Sequence, residues 1–392
     1  MKPGRHDVLI VGGGLAGLSL MLALKGAGLR VVLIEATAGN AIPPSFDDRH
    51  LALSLASVEG LRGLGIGPAL EQGTQPIQEL QVSSEGEFGS VQVKASDYGL
   101  PYLGLVCPAH RLGQSLHEAA AALADFALLR QTELLSLERM DDHWQARLST
   151  PEGERVIAAR LVVGSDGTGS RVRSLCDIAS NTTEYQQRAI VTNIEVKHAR
   201  PGVAYERFTR TGPLALLPLP SQRLGVIWTK PSEQASALMA GSDEDFRHAL
   251  NAALPSRFGR LQSLGKRQSY PLALTIGEQS IAWRAALIGN AAQTIHPIGA
   301  QGFNLGLRDA LGLARVLGKA CDDPGDAQLL ERFAQERAAD RERTIRFSDG
   351  LVALTSSRLP FASILRSAGL LALDRVAPLK KLLLEFGVGF GR

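Results

Sequence analysis

Three clusters of small and polar residues could carry the chemistry of this chain. Near the start, Val11-Gly-Gly-Gly-Leu-Ala-Gly17 contains G-x-G-x-x-G at Gly12, Gly14 and Gly17. Gly12 would allow a tight turn, Gly14 the approach of a pyrophosphate to bare backbone, and Gly17 close packing of a helix on a strand. The pyrophosphate would rest on the helix N-terminus, where unpaired N–H groups point outward. Glu35 follows at the spacing of an acid that accepts from ribose hydroxyls and repels a 2′-phosphate. In the second cluster, Leu161-Val-Val-Gly-Ser-Asp-Gly-Thr-Gly-Ser-Arg-Val-Arg173, an apolar run ends in Asp166-Gly167. By residue type alone, Asp166 could cap the turn, and Ser170 and Arg171 could open the next helix. The third cluster runs from Gly289 to Asp309 and includes Asn290, His296, Pro297, Gly302 and Asn304. Here Gly299, Gly302 and Gly306 keep the backbone bare where a loop becomes a helix. Pro297 fixes a turn and leaves a carbonyl, not an N–H, facing the reaction space. His296 could be a base or a positioned structural group.

The flanking patterns say what must hold these clusters. Asp7 to Val11 and Arg30 to Ile34 read as buried parallel strands, with Leu15 to Gly28 as the helix between them. Arg155 to Val163 is apolar enough for a central strand, and Ile281 to Ile288 reads as one more. Between them the chain makes two excursions. The first spans about Gly67 to Gly104. The second, about Asp177 to Glu278, has strand-like Ala189 to Val196, Val203 to Phe208, Leu214 to Leu217 and Leu224 to Trp228, with a helix at Asp243 to Leu254. These should form an antiparallel sheet with one covered face. Tyr205, Arg207 and Trp228 are expected on the face toward substrate. After the third cluster the pattern is helical, and Leu379, Leu382, Leu383 and Phe386 fall at helical spacing beside Arg375, Lys380 and Lys381, which suits a core-facing helix or one that docks on a membrane or partner.

Composition narrows the class. With 392 residues, 45% of them hydrophobic, the chain can bury one large core or two to three smaller ones. Lys and Arg number 42 against 39 acids, so the net charge of +3 argues against nucleic acid. Cys107, Cys176 and Cys321 lack metal-ligand spacing, so no metal is expected and a reducing, cytoplasmic compartment suits them. Lys2, Arg5 and His6 before an apolar run mimic a secretory signal, but Asp7 and the glycines read as strand, turn and helix. No transmembrane helix is expected.

Taken together and in order, the three clusters resemble the class A flavin monooxygenases of the para-hydroxybenzoate hydroxylase fold. More narrowly, His296-Pro-Ile-Gly-Ala-Gln-Gly-Phe-Asn-Leu-Gly-Leu-Arg-Asp309 is similar to the signature of the ubiquinone-biosynthesis hydroxylases. Asp48-Arg-His-Leu-Ala-Leu-Ser54 and Tyr205-Glu-Arg-Phe-Thr-Arg-Thr-Gly-Pro-Leu-Ala-Leu-Leu-Pro-Leu219 agree with it. The resemblance implies an α/β fold: a Rossmann-like FAD-binding domain (1–67, 104–176 and 279–350) with an inserted antiparallel-sheet substrate domain (68–103 and 177–278) and a helical C-terminus (351–392). It implies FAD as cofactor, NAD(P)H as co-substrate, and O2-dependent hydroxylation of a polyprenylated phenol. Gly12, Gly14, Gly17, Glu35, Arg111, Gln114, Asp166, Asn290, Gly302 and Asn304 would bind FAD, and Arg49, His296 and Pro297 would flank the reaction. A helix N-terminus near Gly302 would suit the flavin edge that gains negative charge on reduction. A water-insoluble substrate implies peripheral membrane contact or a biosynthetic complex.

Departures from the pattern are informative. Most relatives have G-D-A-A-H where this chain has Gly289-Asn-Ala-Ala-Gln293, which resembles the branch acting on 2-polyprenyl-6-methoxyphenol to give the 1,4-benzoquinol. Ser165 replaces the usual alanine. The usual A-G-Q-G reads Gly299-Ala-Gln-Gly302, and Ala300 would be strained if its position needs positive φ. Alternatives are a sibling hydroxylase of another ring position, an FAD-dependent prenyl reductase, or a noncatalytic flavoprotein of a biosynthetic complex.

Overall fold

The computed structural model describes residues 4–37, 49–86, 88–318, 322–356, 369, 371, 372 and 374–389. Asp48, Cys321 and the side chains of Leu379, Leu382, Leu383 and Phe386 lie outside the described residues. The chain begins with β1 (Gly4–Val11), α1 (Leu15–Ala23), β2 (Val31–Glu35), β3 (His50–Ser54), α2 (Leu55–Gly63) and α3 (Gly67–Glu71). Next come β4 (Gln75–Ile77), β5 (Glu79–Ser84), β6 (Ser90–Lys94), β7 (Gly104–Pro108), α4 (Ala109–Ala121), β8 (Ala127–Arg130), β9 (Glu133–Arg139) and β10 (Trp144–Thr150). The middle holds β11 (Gly153–Gly164), α5 (Arg171–Leu175), β12 (Ser180–Val196), β13 (Val203–Thr209), β14 (Gly212–Pro218), β15 (Arg223–Pro231), α6 (Ser232–Ala240) and α7 (Asp243–Ala253). The remainder is β16 (Leu261–Leu264), β17 (Gln268–Gly277), β18 (Ile281–Ala282), β19 (Ala285–Leu287), β20 (Gln293–Thr294), α8 (Gln301–Leu317), α9 (Ala327–Ser356) and α10 (Ala377–Val388).

Strands β8, β2, β1, β11 and β19 run parallel side by side, with β18 closing one edge and the β9–β10 pair lying against β11. Their residues are apolar on both faces because both are covered, one by helices and the other chiefly by the β9–β10 pair with Val172 of α5. Leu9, Ile10, Leu33, Leu161 and Val162 are wholly buried: α1, α8 and α4 bring Leu18, Leu313 and Leu116 against Ile10, Leu33 and Leu161, while β9 and β10 bring Leu134 and Trp144 to the cluster of Leu9 and Val162. In register, Val11 lies opposite Ile34 and Gly164, and Gly164 lies opposite Leu287. Four strand ends therefore finish on one edge, the place where open parallel sheets hold ligands.

A second, nine-stranded sheet has the order β20-β17-β12-β15-β14-β13-β5-β6, with β16 on β12. It is antiparallel except at β13–β5, which is parallel. One face is covered by α6 and α7 through Trp228, Phe246, Leu250 and Phe258. The capping box of Ser242 and Asp245, with acids in the first turn, fixes where α7 starts. A small sheet, β3-β7-β4, lies between the two large ones in chain order.

Two expectations need correcting. Ile281 to Ile288 is a hairpin, not one strand: Ile281 pairs with Ala286 and Ala282 with Ala285, and Arg284 makes the turn at φ 47°. Tyr205, Arg207 and Trp228 do not face the third cluster. Tyr205 stacks edge-on against Phe258, and Trp228 against Phe246, under the covering helices. Alternation along β13 therefore turns Ala204, Glu206 and Phe208 the other way.

Candidate functional site

The strand edge gathers the polar clusters. Gly12 turns the chain at φ 104°, and a β-carbon there would lie 2.6 Å from the Ser165 carbonyl oxygen. A β-carbon at Gly17 would collide with the Gly12 carbonyl oxygen, so α1 can start only where glycine stands. Gly14 is the residue before that helix and offers no side-chain cap, leaving its first N–H groups for a ligand. Glu35 ends β2 and curls around the loop, accepting from Gly13 N–H at 2.6 Å and Thr37 N–H at 2.8 Å. Bare loop, helix N-terminus and strand-end carboxylate together fit the pyrophosphate and ribose of a dinucleotide.

Ser165 and Asp166 stiffen this cradle. The Ser165 hydroxyl bridges the Val11 and Gly12 carbonyls at 2.9 and 2.8 Å, a contact that alanine cannot make. Asp166 accepts from the Ser170 hydroxyl at 2.5 Å and from the Arg171 and Val172 N–H groups at 2.7 and 3.1 Å. Its carboxylate is thus committed to the start of α5, as residue type alone suggested. Cys107 and Cys176 are free thiols pushed up to about 12 by burial, so neither is a nucleophile here.

The third cluster is held from beneath. Gly289 turns at φ 57° and packs against Gly306 of α8, where a β-carbon would lie 3.0 Å from the Gly289 Cα. Buried Asp309 accepts from Gly289 N–H at 3.2 Å and from Gln293 Nε2 at 2.8 Å, and pairs with Arg337 of α9 at 2.9 Å. Arg337 and Arg308 both reach Asp340, which they hold below the usual carboxylate range despite the upward push of burial. No motif in the sequence of α9 announces this arginine–aspartate lattice. The Arg308-Asp309 end of the signature was its only trace. Above it, Asn290 is exposed on the strand edge with its side-chain amide open to a ligand.

The turn beyond is tightly wired. His296 is 1% exposed, accepts from Ile298 N–H at Nδ1 and stacks edge-on against Tyr185. Burial lowers its pKa to about 4, so it is neutral and positions the turn. The Pro297 carbonyl, expected to face the reaction space, instead accepts Ala300 N–H at 3.0 Å. Gly299 and Ala300 both have positive φ, 66° and 53°, so Ala300 does sit in the left-handed region. Asn304 is committed to backbone: it accepts from Ser54 N–H and donates to the Ala52 and Ala300 carbonyls, tying β3 to α8. Gly302, in the first turn of α8, has nothing within 4 Å of a β-carbon and leaves that turn open.

Three predicted residues stand apart. Arg111 lies against Gly73 and reaches the Gln72 carbonyl at 3.4 Å, while exposed Gln114 donates to Glu118 at 2.8 Å on the same face of α4. Arg49 stacks over Tyr270, 4.9 Å from the ring centre. A cavity of about 480 Å³ separates α4 from the second sheet, and His50, Arg111, Arg223, Lys266, Val191 and Gln268 are among its walls. Among the described residues no group of His, Cys, Asp or Glu could hold a metal, and no helix is long and apolar enough to cross a membrane.

Comparison with known proteins identifies what this arrangement resembles. The FAD binding domain family matches residues 5–348. The chain is 34% identical to the ubiquinone hydroxylase UbiL of Rhodospirillum rubrum, over 98% of this chain and 89% of that protein. It is 32% identical to the 3-demethoxyubiquinol 3-hydroxylase of Escherichia coli, over 98% of each. Among solved structures, p-nitrophenol 4-monooxygenase of Pseudomonas putida superposes with a TM-score of 0.81 at 19% identity, covering 99% of each chain, a likeness of fold.

Proposed function

This chain belongs to the FAD-binding-domain family of flavin-dependent monooxygenases, within the ubiquinone-biosynthesis hydroxylases, and on that premise we propose that it hydroxylates 2-polyprenyl-6-methoxyphenol to the 1,4-benzoquinol. Bound FAD would supply the redox and oxygen chemistry, with NAD(P)H as reductant and O2 as the oxygen source. The observation that carries the substrate assignment is the Gly289–Gln293 turn. Neutral Gln293 stands on Asp309, and uncharged Asn290 is presented at the strand edge.

The chain's own residues bind, orient and exclude water. Gly12, Gly14 and Gly17 with the start of α1 would hold the pyrophosphate, and Glu35 the ribose hydroxyls. Asn290 would hold the ribityl chain, and the open first turn of α8 at Gly302 the flavin edge. Ser165, Asp166, His296, Pro297 and Asn304 hold these groups in place. Arg111 and Gln114 would contact the flavin, and His50, Arg223 and Lys266 around the cavity would give NAD(P)H a cationic approach in a sequence with no second dinucleotide motif. Arg49, on Tyr270, lies on the sheet face that covers the reaction. Residues 1–67, 104–176 and 279–350 would form the FAD part and 68–103 with 177–278 the substrate part. Pairing of β5 with β13 supports that division.

The E. coli relative gives one specific reason to keep a sibling ring position as the second reading. Incubating the purified holoenzyme with 2-allyl-6-methoxyphenol, NAD(P)H and O2 and identifying the product separates the two. Oxygen para to the phenolic hydroxyl supports the first reading, and oxygen at another carbon supports the second.

A further inference from the structure

Glu206 is the residue of β13 that the flavin motifs do not account for. It lies opposite Val82 of β5 and Ala215 of β14, and the same row continues through Ile227 and Val191 to Gln268. Its neighbours on that face are apolar: Ala204 and Leu217 on one side, Phe208 on the other. Phe208 packs on Ile298, next to Pro297, so this face meets the turn of the third cluster. At the far end of the row, Val191 and Gln268 wall the cavity. Among the described residues no side chain donates a hydrogen bond to the Glu206 carboxylate. A carboxyl on an apolar strand face costs stability unless a ligand supplies its partner.

We propose that Glu206 is a catalytic residue that accepts the proton of the substrate's phenolic hydroxyl, anchoring the aromatic head on this face of the sheet. The inference rests on the phenol-hydroxylase reading above. In the step, the phenolic O–H bond breaks, a carboxyl O–H bond forms, and the electron pair stays on the phenolate oxygen. That pair enriches the ring carbon para to it, where the oxygen atom must add. Nothing is oxidised or reduced in this transfer, and the proton returns when product forms. The carboxyl suits a base working near neutrality, since burial raises it to about 7. Of the other ionisable groups around this face, His50, Arg223 and Lys266 stand at its cavity end. His296 is neutral, Tyr185 donates to Asp349, and Arg49 is stacked on Tyr270 in the next row.

The test compares the wild-type holoenzyme with Glu206→Gln and Glu206→Asp, using 2-allyl-6-methoxyphenol and its O-methyl ether, which has no phenolic proton. Glu206→Gln should keep its FAD and bind the ether as the wild type does. Hydroxylation should fall by ~10²–10⁴-fold, the range for losing a general base, with NAD(P)H oxidation diverted to H2O2. In the wild type the hydroxylation rate should rise as pH passes about 7, where Glu206 loses its proton. That change should vanish in Glu206→Gln and persist in part in Glu206→Asp. A Glu206→Gln enzyme that hydroxylates the phenol at the wild-type rate, or keeps that rise with pH, overturns the assignment. If the wild type hydroxylates no phenol, the functional reading itself fails, which is a separate outcome.

Discussion

Ala300 shows how much a single dihedral can carry. At φ 53° and ψ 33° it occupies the left-handed region, which disfavours any β-carbon. Ala300→Gly is expected to stabilise the protein by ~0.5–1 kcal/mol, less the greater entropy of the unfolded glycine chain. Gly299→Ala, at φ 66°, should destabilise it by a similar amount. Thermal melting of the two variants checks both signs. Gly17→Ala should give protein without yellow flavin, because its methyl group meets the Gly12 carbonyl, and flavin absorbance after purification reads it directly. Glu206 yields a pH prediction. Its carboxyl titrates near 4.5 when unfolded and near 7 when folded. Between those values the folded state holds the extra proton, so the penalty for burying its charge is absent below 4.5 and complete above 7. Glu206→Gln should therefore raise stability at pH 8 by ~1–3 kcal/mol and leave it unchanged at pH 4. The glycines and Glu35 were legible because backbone needs restrict residue type. Glu206 was not: Tyr205 and Arg207 looked the more functional, and nothing in a strand's sequence says which face helices will cover.

At the scale of elements, the clamp between α8 and α9 decides where the Gly289 turn sits. Asp309 neutralises Arg337 while accepting from Gly289 N–H and Gln293, all in a buried setting. Removing one partner of such a pair leaves the other uncompensated, so Asp309→Ala should cost ~3–5 kcal/mol and weaken FAD retention. Denaturant unfolding and flavin titration measure the two effects. The parallel strands and α7 were readable because apolar runs and caps announce them. The first half of β12, Ser180 to Arg188, was missed because its residues are polar and mostly exposed and a bulge interrupts its pairing with β17. β17 lacks a clean alternation for the same reason: it lies between exposed and half-covered surroundings. The β18–β19 hairpin reads as one strand because its turn, Trp283 and Arg284, carries no glycine or proline to mark it.

For the molecule as a whole, order along the sequence matters less than the shared strand edge. Residues 12, 35, 166 and 290 are far apart in the chain, yet they follow strands whose C-terminal ends line up. The motifs foretold that convergence, because each came with its own strand. The C-terminal region was less legible. Leu384 and Val388 of α10 are buried against Leu217 and Leu219, so this helix is at least in part a core element. Leu371 and Val376, just before it, are exposed. Replacing both with Asp should lower co-sedimentation with anionic phospholipid vesicles several-fold, whereas unchanged binding would remove this region from any membrane role. The central claim, that this enzyme places an oxygen atom from O2 on a phenolic ring, has one direct measurement. The holoenzyme is supplied with NAD(P)H, 2-allyl-6-methoxyphenol and heavy-isotope O2, and the product is weighed by mass spectrometry. One heavy oxygen atom per product molecule is expected, para to the phenolic hydroxyl, with NAD(P)H and O2 consumed in equal amounts. A product without heavy oxygen, or NAD(P)H oxidation that needs no O2, would contradict it.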